Sequence, residues 1–136
     1  MVLNLDGIAV IGFGEAGQTF ASAGGWGDRA RVYDRLTDDA AARDAKWADY
    51  QAASVVGSDW AADAVAGTTV ILSLVTADQA LAVATEAARS IAPGALYCDL
   101  NSVAPETKRA GARAIEAAGG HYVDVAVMSP VQPAAM

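Results

Sequence analysis

Residues 7–23, with the sequence GIAVIGFGEAGQTFASA, decide the fold of this chain. Four apolar residues typical of a short buried strand lead into a tight turn, and a helix follows the turn. The turn carries Gly12, Gly14 and Gly17 as G-x-G-x-x-G, directly after the strand. In a dinucleotide-binding turn the first glycine permits the bend, the second lets a pyrophosphate approach the backbone, and the third lets the helix pack closely. The stretch therefore predicts a dinucleotide-binding turn.

An acidic residue follows the second predicted strand, which covers residues 29–33. Asp34 comes after Gly17 at close to the ~20-residue spacing of the motif, where a carboxylate accepts hydrogen bonds from ribose hydroxyls. The helix after the glycine turn points its free N–H groups and its positive dipole end towards the phosphates. Asp34 favours NAD because it repels a 2′-phosphate, but Arg35 beside it offsets that repulsion and leaves NADP open.

The composition restricts the class of protein. A chain of 136 residues with 54% hydrophobic and 18% charged residues is long and apolar enough to form one folded domain. Its net charge of −7 argues against nucleic acid and anionic membrane surfaces, because both attract clustered lysine and arginine. Cys98 is the single cysteine, which excludes an intrachain disulfide and fits a reducing cytosol. Without signal-peptide or membrane-span features near its start, the chain is expected to be cytoplasmic.

The rest of the chain alternates predicted strands and helices. After residues 8–11 and 29–33, strands are predicted over residues 53–56, 69–75, 95–99 and 121–128. After the first helix, four more are predicted. They start at Thr37 or Asp38, directly after Ser58 as the N-cap, at Asp78 and at Pro105. Such alternation indicates a parallel sheet with right-handed crossovers. With the glycine turn after the first strand, the predicted fold class is α/β, a doubly wound parallel sheet (Rossmann) with strand order 3-2-1-4-5-6.

Ligands of open parallel sheets bind beyond the carboxyl ends of the strands. The loops at those ends supply the candidate cofactor-binding residues, which are Gly12, Phe13, Gly14, Glu15, Ala16, Gly17, Asp34, Arg35, Leu74, Val75, Thr76 and Asn101. Ser102 and Ser129 lie near the ends of the last two strands, at the same edge of the sheet. Thr76 and Ser102 have an alternative role, which is to cap the helices that follow them.

Hydride transfer to or from a hydroxy acid needs a proton donor or acceptor near the reacting oxygen. Lys46 and Lys108 are expected on solvated helix faces, and His121 begins a strand at the opposite edge of the sheet. Tyr97 and Cys98 lie in a core strand, where we expect them to pack. We therefore predict no catalytic residue and no metal site in this chain. Either a second domain supplies the proton donor or the chain does no chemistry.

Four segments of the sequence together match the pattern of one known family. They are IAVIGFGEAGQTFA at residues 8–21, VILSLVTADQA at 70–80, CDLNSVAPET at 98–107 and GGHYVDVAVMSP at 119–130. In these segments the chain resembles the N-terminal domain of the β-hydroxyacid dehydrogenases. That family includes 3-hydroxyisobutyrate and 6-phosphogluconate dehydrogenases, tartronate semialdehyde reductases and the related imine reductases. The resemblance implies an NAD- or NADP-binding domain of an oxidoreductase that acts on a small hydroxy-acid-like or imine-like substrate.

The resemblance also implies roles for individual residues. Thr76 is expected near the nicotinamide, and Asn101 and Ser102 stand at the Ser-Thr pair of the family pattern. Ser102 and Ser129 are expected on the substrate side. Residues 128–130, Met-Ser-Pro, replace the Ser-Gly-Gly that holds the substrate carboxylate in the family. Because proline has no backbone N–H, the usual anion cradle is not expected here, and neither is a standard small β-hydroxy acid as substrate.

The catalytic lysine of the family and its helical second domain would both follow Met136. We therefore expect residues 1–136 to be a dinucleotide-binding domain and a piece of a longer two-domain enzyme. The expected partner is a small-molecule substrate, without nucleic acid or membrane. The helical domain is expected to form a homo-oligomer.

Two other classes of protein remain as alternatives. One is a stand-alone NAD(H)-sensing regulatory domain, similar to those on potassium channels and transporters, whose third-strand region residues 55–59 loosely resemble. Such domains do not carry the patterns at residues 101–105 and 122–130. The other is a methyltransferase, which the complete G-x-G-x-x-G disfavours. A downstream reading frame with a lysine on a glycine-rich helix, followed by helical sequence, would identify a dehydrogenase.

Overall fold

The computed structural model describes residues 7–126, which form one parallel sheet with helices on both faces. The strands are β1 (Ile8–Ile11), β2 (Ala30–Tyr33), β3 (Val56–Gly57), β4 (Val70–Ser73), β5 (Leu96–Asp99) and β6 (His121–Asp124). The helices are α1 (Glu15–Gly24), α2 (Arg43–Ala53), α3 (Ala61–Val65), α4 (Ala80–Ala88) and α5 (Pro105–Ala117). The strand order, β3-β2-β1-β4-β5-β6, confirms the predicted Rossmann order.

The central strand β1 lies between β2 and β4 and is buried on both faces. On one face Val10 packs with residues of β2, α1 and α2, among them Tyr50. On the other face Ile11 packs with residues of β4, β5, α3, α4 and α5, among them Ile115. Only a continuously apolar strand satisfies both faces, as the run at residues 8–11 does. This burial fixes the glycine turn at the carboxyl edge of the sheet, in its centre.

The segment after β2 differs from the predicted one. The sequence predicts a helix from residue 37 or 38, whereas a 3-10 turn covers Arg35–Asp38 and α2 begins only at Arg43. The hydroxyl of Thr37 donates to the Asp34 carbonyl oxygen at 2.7 Å instead of capping a helix. The Asp34 carboxylate also accepts the N–H of Leu36 at 2.9 Å. Local side-chain bonds to the backbone therefore hold a turn where the sequence predicts a helix.

Two smaller predictions about helices are wrong. The residue at the N-cap of α3 is Trp60 rather than Ser58. The apolar pattern of residues 78–91 predicts that Leu81, Val83 and Ala84 face inward. Ala84 is buried, but Leu81 is 39% exposed, since the buried face of α4 carries Ala80, Ala84 and Ala87. Among the described residues, no helix has both the length and the apolar character needed to cross a membrane.

Candidate cofactor-binding site

The three glycines of the turn meet three different surroundings. Gly12 has φ +95°, and a Cβ there would lie 2.1 Å from the carbonyl oxygen of Leu74. At Gly17 a Cβ would lie 2.6 Å from the carbonyl oxygen of Gly12, so the start of α1 approaches the turn closely. At Gly14 a Cβ would meet nothing within 4 Å. The first and third glycines are therefore required by the fold, whereas the second leaves open space above the backbone.

The backbone around Gly14 offers unpaired donors to that space. The N–H groups of Gly14, Glu15, Ala16 and Gly17 make no hydrogen bond within residues 7–126. The first intrahelical bond is donated by Gln18 to the Gly14 carbonyl oxygen at 3.0 Å. Four free N–H groups at a helix N-terminus form a site for an anion such as a pyrophosphate.

Asp34 connects the turn to the end of β2. One carboxylate oxygen accepts the N–H of Phe13 at 2.7 Å, and the other accepts the N–H of Leu36 at 2.9 Å. The residue is only 9% exposed, yet it lines the cavity described below. Because each carboxylate oxygen has two lone pairs, one remains on each oxygen for a ribose hydroxyl. Asp34 thus holds the turn in place and retains the acceptor capacity that the sequence predicts for it.

A cavity of about 720 Å³ opens at the carboxyl ends of β1, β2 and β4. Its volume lies within the range of small-molecule sites, ~300–1,000 Å³. All the candidate cofactor-binding residues line it except two, Phe13 and Asn101. Several further residues line the cavity that are not among the candidates predicted from the sequence, and they are Ile11, Tyr33, Leu36, Asp38, Trp60, Ala61, Gln79, Ala82, Val83 and Glu86. Most of these come from α3, α4 and the turn after β2, whose approach to the site depends on the folded chain.

Phe13 and Asn101 support the cavity from outside its lining. The Phe13 side chain is fully buried, and its ring packs 5.5 Å from that of Tyr50. The Asn101 carboxamide accepts the N–H of Val75 at 2.7 Å and donates to the Ser73 hydroxyl at 2.9 Å. Asn101 therefore fixes the loop after β4, which does line the cavity.

The two predicted helix caps do not cap. Thr76 precedes the 3-10 turn Ala77–Gln79, but its hydroxyl donates to the Asp78 carboxylate at 2.6 Å, which lowers the pKa of Asp78. Ser102 is exposed and the N-cap of α5 is Ala104, so the capping alternative is wrong for Ser102 as well. Ser102 is not among the residues that line the cavity. Ser129, together with the Met-Ser-Pro segment around it, lies outside the described residues.

The expectation that both lysines are solvated is wrong. Lys46 is 6% exposed, and its Nζ donates to the Phe13 carbonyl oxygen at 2.8 Å and lies 3.1 Å from an Asp49 carboxylate oxygen. One signal could have revealed this burial. Lys46 precedes the buried aromatic Tyr50 by four positions and therefore shares its helix face.

Lys108 belongs to a polar network around the buried residue Asp99. One Asp99 carboxylate oxygen accepts the Tyr122 hydroxyl at 2.6 Å, and the other accepts the N–H of Asn101 at 2.9 Å. The Nζ of Lys108 lies 3.4 Å from Asp99 Oδ1, 3.1 Å from the Asp99 carbonyl oxygen and 2.6 Å from Asp124 Oδ1. Burial and the hydrogen bond to Asp99 raise the pKa of Tyr122 well above its ordinary value. These contacts hold the Lys108 ammonium between the Asp99 and Asp124 oxygens.

Tyr97, Cys98 and His121 are not among the residues that line the cavity. Tyr97 is fully buried in the core, as predicted. Cys98 is half-buried, and burial raises the pKa of its thiol, which makes the reactive thiolate scarcer. His121 is exposed at the first position of β6, which places it at the amino end of the sheet.

A parallel sheet of order 3-2-1-4-5-6, with a glycine turn and a helix N-terminus at its central carboxyl edge, defines the Rossmann class of dinucleotide-binding domains. Within this class, the sequence profile of the NAD-binding domain of 6-phosphogluconate dehydrogenase matches residues 7–135. The chain belongs to that family, which confirms the resemblance and the NAD(P) cofactor it implies. Among curated proteins, no sequence matches the chain significantly.

Several solved structures share the fold. A conserved hypothetical protein from Sinorhizobium meliloti is 38% identical over 98% of this chain, with a TM-score of 0.86. An imine reductase from Streptomyces aurantiacus is 26% identical over 90% of the chain, with a TM-score of 0.66. A 3-hydroxyisobutyrate dehydrogenase from Mycobacterium tuberculosis, 24% identical over 94% of the chain with a TM-score of 0.79, shows the same fold. The chain covers only 47%, 41% and 42% of these three proteins, respectively.

Proposed function

We propose that this chain is the cofactor domain of an NAD-dependent oxidoreductase that transfers a hydride to or from a small hydroxy-acid-like or imine-like substrate. One observation carries the proposal. The residues with free N–H groups, 14–17, and the acidic residue Asp34 line the same cavity, as a pyrophosphate and its adjoining ribose require. Calorimetric titration with NAD and with NADP tests it, and we expect one saturable site for NAD. A chain that binds neither cofactor would contradict the proposal.

Two apolar side chains of the cavity are suited to a base. Leu36 and Trp60 are 40% and 66% exposed, and both line the cavity. Aromatic and aliphatic side chains of this kind provide the apolar surface on which an adenine ring packs. We propose that the nicotinamide lies at the Leu74–Thr76 loop, which follows β4 and lines the cavity. When bound, the nicotinamide would supply or accept the hydride, and the residues of this chain would bind and orient it.

The charges at the cavity favour NAD over NADP. Asp34, Asp38 and Glu86 line it, and Arg35 is the only cationic residue among the described lining residues. A 2′-phosphate next to these carboxylates is repelled more strongly than a ribose hydroxyl. Arg35 offsets part of this repulsion and so sets how much NADP binding remains.

Replacing Asp34 with alanine is expected to weaken NAD binding and to raise the affinity for NADP relative to NAD. Each lost hydrogen bond to the carboxylate costs about 1.5–3 kcal/mol. The change also frees the N–H groups of Phe13 and Leu36, which loosens the turn for both cofactors alike. The ratio of the two dissociation constants, measured by calorimetry at low salt, cancels that common effect.

Asp44→Ala is the matched control for Asp34→Ala, because it removes the same charge at an exposed position of α2. We expect it to leave the ratio of NADP to NAD affinity unchanged. A parent chain that already prefers NADP at low salt would show that Arg35 outweighs Asp34.

We further propose that the active enzyme contains a second, helical domain, because this chain covers less than half of each of the three related structures. The general acid for the reaction then comes from outside residues 1–136. Within the described residues, Lys46 and Lys108 are both engaged by carboxylate and carbonyl oxygens, and neither lines the cavity. Homo-oligomer formation through the helical domain and a cytoplasmic location remain predictions.

The 136-residue chain alone is expected to bind the cofactor without measurable turnover. A general acid contributes ~10²–10⁴-fold to the rate, and closure by a second domain also excludes water. The absorbance of the reduced nicotinamide, followed with hydroxy acids, semialdehydes and imines, measures turnover by the chain and by any longer parent. Steady turnover by the chain alone would contradict this prediction, and Lys108→Met would then test the remaining candidate acid.

A further inference from the structure

We propose that Lys46 is a positioning residue for the cofactor pyrophosphate. It acts through the peptide between Phe13 and Gly14, which it orients and polarises. The inference rests on the proposed function, since it concerns the same cavity. It assigns a role to a buried cation that neither the glycine motif nor the acid after β2 accounts for.

The first observation is that α2 buries a charge behind the turn. A buried ammonium is costly unless it is paired and hydrogen-bonded. Lys46 has two partners, the Phe13 carbonyl oxygen at 2.8 Å and an Asp49 carboxylate oxygen at 3.1 Å. The amide of Gln18 donates to the same Phe13 carbonyl oxygen at 3.1 Å. Two donors from different helices thus converge on one carbonyl of the glycine turn.

The second observation concerns the direction of the peptide group. In a trans peptide the C=O and N–H bonds are coplanar and point in opposite directions. The Phe13 carbonyl points to buried Lys46, so the N–H of Gly14 in the same peptide points the opposite way. Gly14 lines the cavity, and its N–H has no acceptor within residues 7–126. The lysine therefore holds this N–H in position for an anion in the cavity.

The third observation is the charge balance around the cavity. Glu15, Asp34, Asp38 and Glu86 line it, and the chain carries a net charge of −7, so an anionic cofactor meets repulsion. A cation bonded to the carbonyl of a peptide polarises the group and makes its N–H a stronger donor. Lys46 therefore opposes that repulsion at the part of the cavity where the phosphates are expected.

The experiment compares Lys46→Met with Lys108→Met. Both changes remove a largely buried lysine that donates to a backbone carbonyl oxygen, but Lys108 binds Asp99 and not the glycine turn. NAD and ADP are titrated by calorimetry, and adenosine by ligand-observed NMR. We expect Lys46→Met to weaken NAD and ADP binding about 10-fold, as for the loss of one charge-assisted interaction. Adenosine binding by Lys46→Met should match the parent, and so should ADP and adenosine binding by Lys108→Met.

Two results would overturn the inference. One is parent-like ADP affinity in Lys46→Met, and the other is an equal loss for adenosine, which would mean general damage to the cavity. A parent chain that binds neither NAD nor ADP would instead refute the proposed function, and the role of Lys46 with it. If Lys46→Met does not fold, Lys46→Gln replaces it, because an amide keeps a donor while losing the charge. It should weaken ADP but not adenosine at low salt, and unchanged ADP affinity there would also overturn the inference.

Discussion

Valine in place of Gly14 is expected to weaken NAD binding by at least about 100-fold, which corresponds to ~2.7 kcal/mol. A Cβ at this position meets no atom of the protein within 4 Å, so the added side chain occupies the space above the free N–H groups. The backbone of Gly14, with φ −81° and ψ −154°, is extended and lies outside the left-handed region that favours glycine. The fold should therefore survive while the pyrophosphate loses its place. Calorimetry gives the affinity, and far-ultraviolet circular dichroism reports the fold.

Ala48→Val is the control for Gly14→Val. It adds a β-branched side chain at an exposed position of α2 and should bind NAD like the parent. If Gly14→Val bound NAD as tightly as the parent, the glycine turn would not be the phosphate site. Loss of the native circular dichroism spectrum in Gly14→Val would instead contradict the open surroundings of Gly14.

Alanine in place of Gly12 is expected to destabilise the folded chain by about 2–5 kcal/mol, the sum of two costs. A residue with a Cβ is strained at φ +95°, and that Cβ would lie 2.1 Å from the Leu74 carbonyl oxygen. The Leu74 carbonyl cannot move away freely, because the Leu74 N–H donates to Ile11 at 2.8 Å. Urea unfolding followed by circular dichroism measures the change in the free energy of unfolding.

Gly94→Ala separates the two costs in Gly12→Ala. Gly94 also has a positive φ, +81°, but a Cβ there would meet nothing within 4 Å. Its replacement should therefore cost only the strain of the backbone, about 1–2 kcal/mol. Equal destabilisation by the two alanine variants would show that the close approach to Leu74 adds nothing to the free-energy cost of Gly12→Ala.

The Gly12 and Gly14 variants test features of the turn that the sequence alone predicts only in part. Adjacent residues fix the order strand, glycine turn, helix, acid, so the Rossmann class and the cofactor class follow from local patterns. The different roles of Gly12, which permits the bend, and Gly14, which leaves room for the pyrophosphate, also follow from the motif. The clash distance at Gly12, however, depends on the loop after β4, because the Leu74 carbonyl comes from a segment far along the chain.

Buried polar contacts were the least predictable part of the site. Lys46 reaches Phe13 across 33 positions, Asn101 reaches Val75 across 26, and Asp34 reaches Phe13 across 21. Hydrophobic periodicity treats a lysine as a surface residue, since a charged side chain is rarely buried without a partner. Besides nearby Asp49, the partner of Lys46 is the backbone carbonyl of Phe13, and a contact to a distant backbone carbonyl cannot be predicted from residue types.

The sequence by itself determined the fold class, the strand order, the glycine turn and the acid that follows β2, because each depends on neighbouring residues or on the regular alternation of strands and helices. The tertiary structure decided which groups surround the cavity and which ones hold it. In the folded chain Trp60 and Leu36 line the cavity, whereas Phe13 and Asn101 do not. Lys46 is buried behind the turn. The physical reason is that such contacts join distant segments whose distance is set only when both faces of the sheet are packed.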